Sequence, residues 1–123
     1  MISLKKSIYQ RVNSVADRVY DSRTPTDTDY PYVNIRYPTI GENDESFRQS
    51  VILEIDIWDN KTDTTALDTL TDAIDTALNR VVDTTFFYRI YRLNPYRFEL
   101  DEADENIRRR QLRYQILQFR EVN

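Results

Sequence analysis

The sequence predicts an α+β fold, with an antiparallel or mixed sheet of four to five strands and two helices packed on one face. Two segments repeat apolar residues at the spacing of an amphipathic helix, and the segments between and after them alternate as strands do. The predicted order is helix, two strands, helix, two or three strands. The chain of 123 residues has the length of one domain, so we expect residues 1–123 to form a single domain.

The first helix is predicted over residues 4–20, where apolar residues recur every three or four positions. They are Leu4, Ile8, Val12, Val15 and Val19. The polar stretch 21–29 contains Pro25 and shows no periodicity. It is therefore predicted to be a loop.

Two strands are predicted next. Residues 30–38 are rich in aromatic and β-branched side chains and carry Pro31 and Pro38, which favours a short strand near a sheet edge. A polar loop with Gly41, the one glycine, is predicted to extend to about residue 46. Residues 47–58 form the strongest predicted strand, because one set of alternate positions is wholly apolar: Val51, Leu53, Ile55 and Ile57.

The second half begins with a helix predicted over residues 64–82, which carries an Ala- and Leu-rich helical repeat. Strands are predicted over 85–93, over 96–100 after an interruption at Pro95, and over 109–122. An acidic turn is predicted at 101–106. The face opposite the helices would then carry Ile52, Trp58, Leu117 and Phe119, which makes it a candidate contact surface.

The composition excludes most kinds of catalytic site. The chain has no histidine, the commonest general base and transition-metal ligand, and no cysteine for a thiolate site or disulfide. A single glycine cannot build a phosphate-binding loop. We therefore predict that the chain is not an enzyme, with no catalytic residue, cofactor or metal site.

Two acidic clusters are candidate metal sites. Asp68, Asp72 and Asp75 share one face of the second predicted helix, and the acids of the 101–106 turn lie at a hairpin tip. Without further ligands, both patterns are typical of solvated surfaces. A metal-dependent hydrolase using Asp101 or Glu102 is the least favoured alternative.

Charge and hydropathy limit the partners. The net charge of −4, from 17 basic and 21 acidic residues, disfavours nucleic acid, and the sequence lacks an apolar run of the ~20 residues that a membrane span needs. We expect a soluble protein without membrane or sequence-specific nucleic-acid partners. The C-terminal third is basic, which favours charge-complementary contacts between subunits.

Several segments carry a family resemblance. They are Tyr30-Pro31-Tyr32-Val33, the strand from Val51 to Trp58 and Asp59, the Ala- and Leu-rich helix, and the acidic turn followed by Arg113-Tyr114-Gln115-Ile116. On these segments the chain resembles the tail terminator or tail completion proteins of long-tailed, siphovirus-type bacteriophages, including the lambda-type terminators.

The resemblance implies a structural virion protein that caps the tail tube as a homohexameric ring, stops tube polymerisation and forms the head–tail joining surface. Its partners would be further copies of itself, the tail tube protein and a head–tail connector or neck protein, with DNA passing through the ring lumen. It would occupy the head–tail junction of the virion, and the host cytoplasm during assembly.

Contact positions are predicted from the residues themselves. They lie in the loop before the strong strand and beside the acidic turn, and are Ile40, Glu42, Phe47, Arg48, Asp101, Glu102, Arg108, Arg109 and Arg110. Two alternatives stay open: another phage neck or head-completion protein, and a non-viral adaptor that binds a protein through an exposed strand or tyrosine-rich face.

Overall fold

A computed structural model describes residues 2–21, 23–43, 48–100, 102 and 104–119. Its elements, in chain order, are α1 (Ile2–Asn13), β1 (Val19–Asp21), β2 (Tyr32–Asn43), β3 (Arg48–Asp59), α2 (Thr65–Leu78), β4 (Val82–Asp83), β5 (Tyr88–Leu100) and β6 (Arg108–Phe119). The α+β class is confirmed, but these residues form six strands instead of the four to five predicted.

The strands form one curled, mixed sheet in the order β1-β2-β3-β6-β5-β4. β1 pairs with β2 in parallel, and the other neighbouring strands pair antiparallel. β3 and β6 pair without a break from Arg48 opposite Phe119 to Asp59 opposite Arg108. This unbroken pair lies at the centre of the sheet, and β3 corresponds to the strongest predicted strand.

Both helices pack on one face of the sheet and share a single hydrophobic core. The apolar positions of β3 contribute Val51, Leu53, Ile55 and Ile57, all fully buried. Leu4, Ile8 and Val12 of α1 and Leu67, Ile74 and Leu78 of α2 lie in the same cluster. Within the residues that the structure describes, the opposite face of the sheet carries no helix.

The first helix is shorter than predicted. α1 ends at Asn13, where the Oγ of Ser14 donates a 2.6 Å hydrogen bond to the carbonyl of Arg11 and so competes with the helical pattern. Val19 is buried, but it lies in β1 and pairs with Val33 instead of extending the helix. The helical spacing of Val19 was coincidental, because a buried strand also needs an apolar residue there.

The second helix also stops early. α2 ends at Leu78 instead of residue 82, because Arg80 has a left-handed φ of 61° and the amide of Val81 donates to the Leu78 carbonyl. The chain then turns into the short strand β4, which pairs with the start of β5.

Two strands are longer than predicted. β2 continues to Asn43 through Gly41, where a loop was predicted, and β5 runs through Pro95, where an interruption was predicted. Their pairing shifts register between Arg36 and Thr39, around Pro38, and between Arg92 and Arg97, around Pro95. A proline removes one ladder donor, so the strand bulges locally and continues. Residues 44–47 and 120–122 of the predicted loop and strands lie outside the described residues.

Neither of the two helices is long and apolar enough to cross a membrane within the residues described.

Candidate interaction surfaces

The sheet face without helices, called here the open face, is mostly polar. Its composition follows from the pairing registers, because alternate residues point to opposite sides. It carries Tyr32, Asn34 and Arg36 of β2, Ile52, Glu54, Asp56 and Trp58 of β3, Tyr91 and Phe98 of β5, and Arg109, Gln111, Arg113, Gln115, Leu117 and Phe119 of β6.

Asp56 is the centre of a hydrogen-bond network on this face. Its carboxylate accepts from Arg109 Nε at 3.0 Å and Nη2 at 2.8 Å and from Gln111 Nε2 at 3.0 Å, and Arg36 Nε lies 3.2 Å away. Glu54 also binds Arg36, at 2.6 Å, and Gln111. Asp56 is only 3% exposed, so the two arginines cover it where no helix does.

Aromatic rings are stacked at one end of the open face. Tyr32 stacks on Trp58 with ring centroids 5.9 Å apart, and Tyr30 lies 5.4 Å from Tyr32. The Arg109 guanidinium lies 4.8 Å from the Trp58 ring centroid, which is a cation–π contact. We call Tyr30, Tyr32 and Trp58 the aromatic stack.

The opposite end of the sheet carries a second aromatic group. Phe86 and Phe87 lie in the turn between β4 and β5, with exposures of 38% and 45%, and we call residues 84–87 the aromatic turn. Phe87 has a left-handed φ of 57°, which is strained for a bulky residue. Its carbonyl accepts the amide of Phe119, which is also exposed.

Asp83 holds the aromatic turn in place. Its Oδ1 accepts from the amides of Thr85 at 2.9 Å and Phe86 at 2.7 Å, while Arg11 Nη2 donates to its Oδ2 at 2.9 Å. Burial alone would raise the pKa of Asp83, but these hydrogen bonds and the Arg11 charge outweigh it and lower the pKa. The turn is therefore tied to α1 by an ionised carboxylate.

The acidic face of α2 points toward arginines of β5 and β6, and the prediction that this face is solvated is wrong for Asp75, which is buried. Asp75 accepts from Tyr114 and forms an ion pair with Arg92. Asp68 accepts from Arg110 Nε at 2.9 Å. The third acid, Asp72, pairs with Arg97 and stays 68% exposed in its side chain.

The predicted contact residues fall into two groups at opposite ends of the sheet. At the start of β6, Arg109 is on the open face and forms an ion pair with Glu102 at 3.3 Å, Arg110 is buried against Asp68, and Arg108 donates to the Glu105 carbonyl. Ile40 and Glu42 lie in β2 and Arg48 lies in β3, at the other end. Phe47 and Asp101 lie outside the described residues.

Whether these positions make contacts stays a prediction. The aromatic turn lies partly within the strand predicted over 85–93, which begins only at Tyr88. Asp83 followed by two threonines and two phenylalanines nevertheless has the sequence signal of an Asp-initiated turn that presents apolar residues. Among the described residues, no group of three or more acidic side chains is arranged to hold a metal ion.

The fold is similar to those of two solved structures. The chain is similar to a chain of the native gene transfer agent particle, with a TM-score of 0.68 over 91% of both chains at 13% identity. It is also similar to the gp17 protein of bacteriophage SPP1, with a TM-score of 0.53 over 98% of this chain and 91% of that one at 18% identity. These neighbours confirm the resemblance to the tail terminator family at the level of fold.

By sequence, no protein-family model and no curated protein matches the chain.

Proposed function

We propose that the chain is a non-enzymatic structural protein of a tailed-phage-type virion. The observation that carries this proposal is the similarity in fold to two virion proteins over at least 91% of each chain compared. One fold can carry several functions, so the function of this chain depends on its surfaces. Aromatic and arginine side chains on an otherwise polar face are typical of protein interfaces.

In more detail, we propose a tail terminator: a homohexameric ring that caps the tail tube, stops its polymerisation and offers the surface to which the head attaches. The partners are then the tail tube protein on one side and a connector or neck protein on the other, with DNA passing through the lumen. A ring requires a heterologous interface whose rotation closes. The two unlike aromatic groups at opposite ends of the sheet suit such an interface.

Native mass spectrometry over a range of concentrations tests the ring. We expect a discrete hexamer. A dimer at every concentration would contradict the ring and favour the adaptor alternative.

Tube polymerisation tests the capping function directly. Tail tube protein assembled with this chain should give tubes of limited length, with this chain at the tube end by immunogold electron microscopy. Tubes of unchanged length without end labelling would reject the terminator function, whatever the oligomeric state.

One alternative within the same class is a neck or head-completion protein. The similar chain of the gene transfer agent is known only as a component of that particle, and its position there is not specified. The similarity is therefore also compatible with a neck or head-completion protein. Binding to isolated connector complexes, together with unchanged tube growth, would favour this alternative.

A further inference from the structure

We propose that the aromatic turn of one copy docks on the aromatic stack of the next copy, and that this joint connects neighbouring subunits. The inference rests on the proposed ring and names the surfaces that form it. Its occupant is a second copy of this chain, presenting Phe86 and Phe87.

The positions of the two surfaces suit a head-to-tail contact. The stack lies where Tyr32, Trp58 and Arg109 are paired across three strands, and the turn adjoins the other end, where Tyr88 pairs with Gln118. Along β6, Arg109 and Gln118 are nine residues apart, which at ~3.3 Å per residue separates the two surfaces by roughly 30 Å. A single contact between two unlike surfaces leaves a free turn on one copy and a free stack on the other, so it can continue head to tail and close into a ring when the rotation between copies allows.

The aromatic turn has the properties of an anchor. Phe86 and Phe87 are exposed, and Asp83 fixes the backbone that presents them. A rigid aromatic side chain loses little conformational freedom when it binds. Phe87 has a strained, left-handed backbone conformation although its apolar side chain is exposed. Backbone strain of this kind is concentrated at functional sites, including ligand-binding sites.

The charges around the two surfaces are complementary. Arg80 and Arg89 flank the aromatic turn, both are exposed, and neither forms an ion pair with any described residue. Asp27 and Asp29 precede the stack in the loop before β2, are exposed, and likewise have no ion pair within the described chain. Opposite charges at the rim of an interface steer encounter and fix register.

Two variants, each disabling one surface, test the joint. The turn variant is Phe86→Ser with Phe87→Ser, and the stack variant is Asp27→Lys with Asp29→Lys. The turn variant loses the two anchors and should raise the protein concentration at half-assembly by roughly tenfold or more. The stack variant places positive charge opposite Arg80 and Arg89 and should also raise that concentration, by like-charge repulsion. Mixed in equal amounts, they should form one-to-one dimers and nothing larger, because each pair keeps one intact joint and exposes two disabled ends.

Tyr91→Ser serves as the matched control. Tyr91 is an exposed aromatic of the open face, 41% exposed, and its partner Gln115 is several residues from either end of β6. This variant should assemble like the wild type. Circular dichroism and urea unfolding of every variant confirm that the fold is intact.

Charge reversal provides a second test. Arg80→Glu with Arg89→Glu should weaken assembly alone, and adding Asp27→Lys with Asp29→Lys to the same chain should restore it. Persistence of the ring in either single-surface variant, or a mixture without dimers, overturns the joint. The tube-capping experiment on the wild-type chain judges the terminator function separately.

Discussion

The hydroxyl of Tyr114 donates a 2.7 Å hydrogen bond to Oδ1 of Asp75, joining the middle of β6 to the last turn of α2 inside the core. Tyr114 is fully buried, and Asp75 is 7% exposed. Burial, followed by the hydrogen bond and charge of Asp75, raises the pKa of Tyr114 far above its usual range, so the hydroxyl stays a donor. Arg92 forms an ion pair with the same carboxylate.

Tyr114→Phe should destabilise the fold. It leaves a buried carboxylate oxygen with one partner fewer, and hydrogen bonds to charged groups contribute ~1.5–3 kcal/mol. Urea unfolding measures the loss. Tyr91→Phe removes an exposed hydroxyl for which the described residues offer no hydrogen-bond partner, and it should change stability by less than about 0.5 kcal/mol. Equal effects of the two substitutions would contradict the role of the bond.

Asp75→Asn and Asp72→Asn should differ, although both acids lie on the same helix. Asp75 is buried with two partners, and its substitution should cost about 2–3 kcal/mol, below the full value for a buried pair because Arg92 keeps access to water. Asp72 is exposed, and its ion pair with Arg97 should contribute about 0.5 kcal/mol or less. Similar unfolding midpoints for the two variants would rule out this ranking.

Arg109→Ala should destabilise the fold and change the fluorescence of Trp58, the only tryptophan. The substitution removes two donors from the buried carboxylate of Asp56 and a cation from the Trp58 ring. Because Arg36 and Gln111 remain, we expect a cost of about 2–3 kcal/mol. Arg23→Ala, at an exposed position, is the control and should leave both stability and emission unchanged.

Asp83→Asn should weaken the dependence of stability on acid pH. The pKa of Asp83 is lowered below its usual 3.8 in the folded chain, so the ionised carboxylate stabilises the fold at neutral pH. That contribution starts to fall as the pH drops through the unfolded value and is lost below the lowered folded one. The difference in unfolding free energy between wild type and variant should therefore be largest near pH 7 and shrink below about pH 4. A constant difference from pH 7 to pH 3 would contradict this.

The central strands were predictable because their signal is local. The apolar alternation of β3 places Val51, Leu53, Ile55 and Ile57 in the core, and the predicted positions of Ile52 and Trp58 on the other face are confirmed by the register. Helix ends were less predictable. Val19 fits the apolar repeat of the first helix and would equally fit a buried position in a strand. Only its pairing with Val33 in the parallel strands β1 and β2 shows that it belongs to a strand.

The ion pairs of α2 could not be predicted from the sequence. Arg92 and Arg97 are five positions apart, so simple alternation would put them on opposite faces of β5. The register shift between them turns both toward α2, where they meet Asp75 and Asp72. Contacts that depend on a bulge and on tertiary packing leave no periodic signal in a single sequence.

The register shifts of β2 and β5 have a consequence for how copies of the chain meet. Beyond the short strands β1 and β4, these two strands carry the long outer edges of the sheet, and each edge contains a proline at a register shift, Pro38 or Pro95. A kinked edge with a missing donor is a poor template for strand addition, so uncontrolled edge-to-edge growth into fibres is discouraged. Copies of the chain then associate through side-chain contacts. Unlike strand addition, such contacts can define a closed oligomer with a fixed number of subunits.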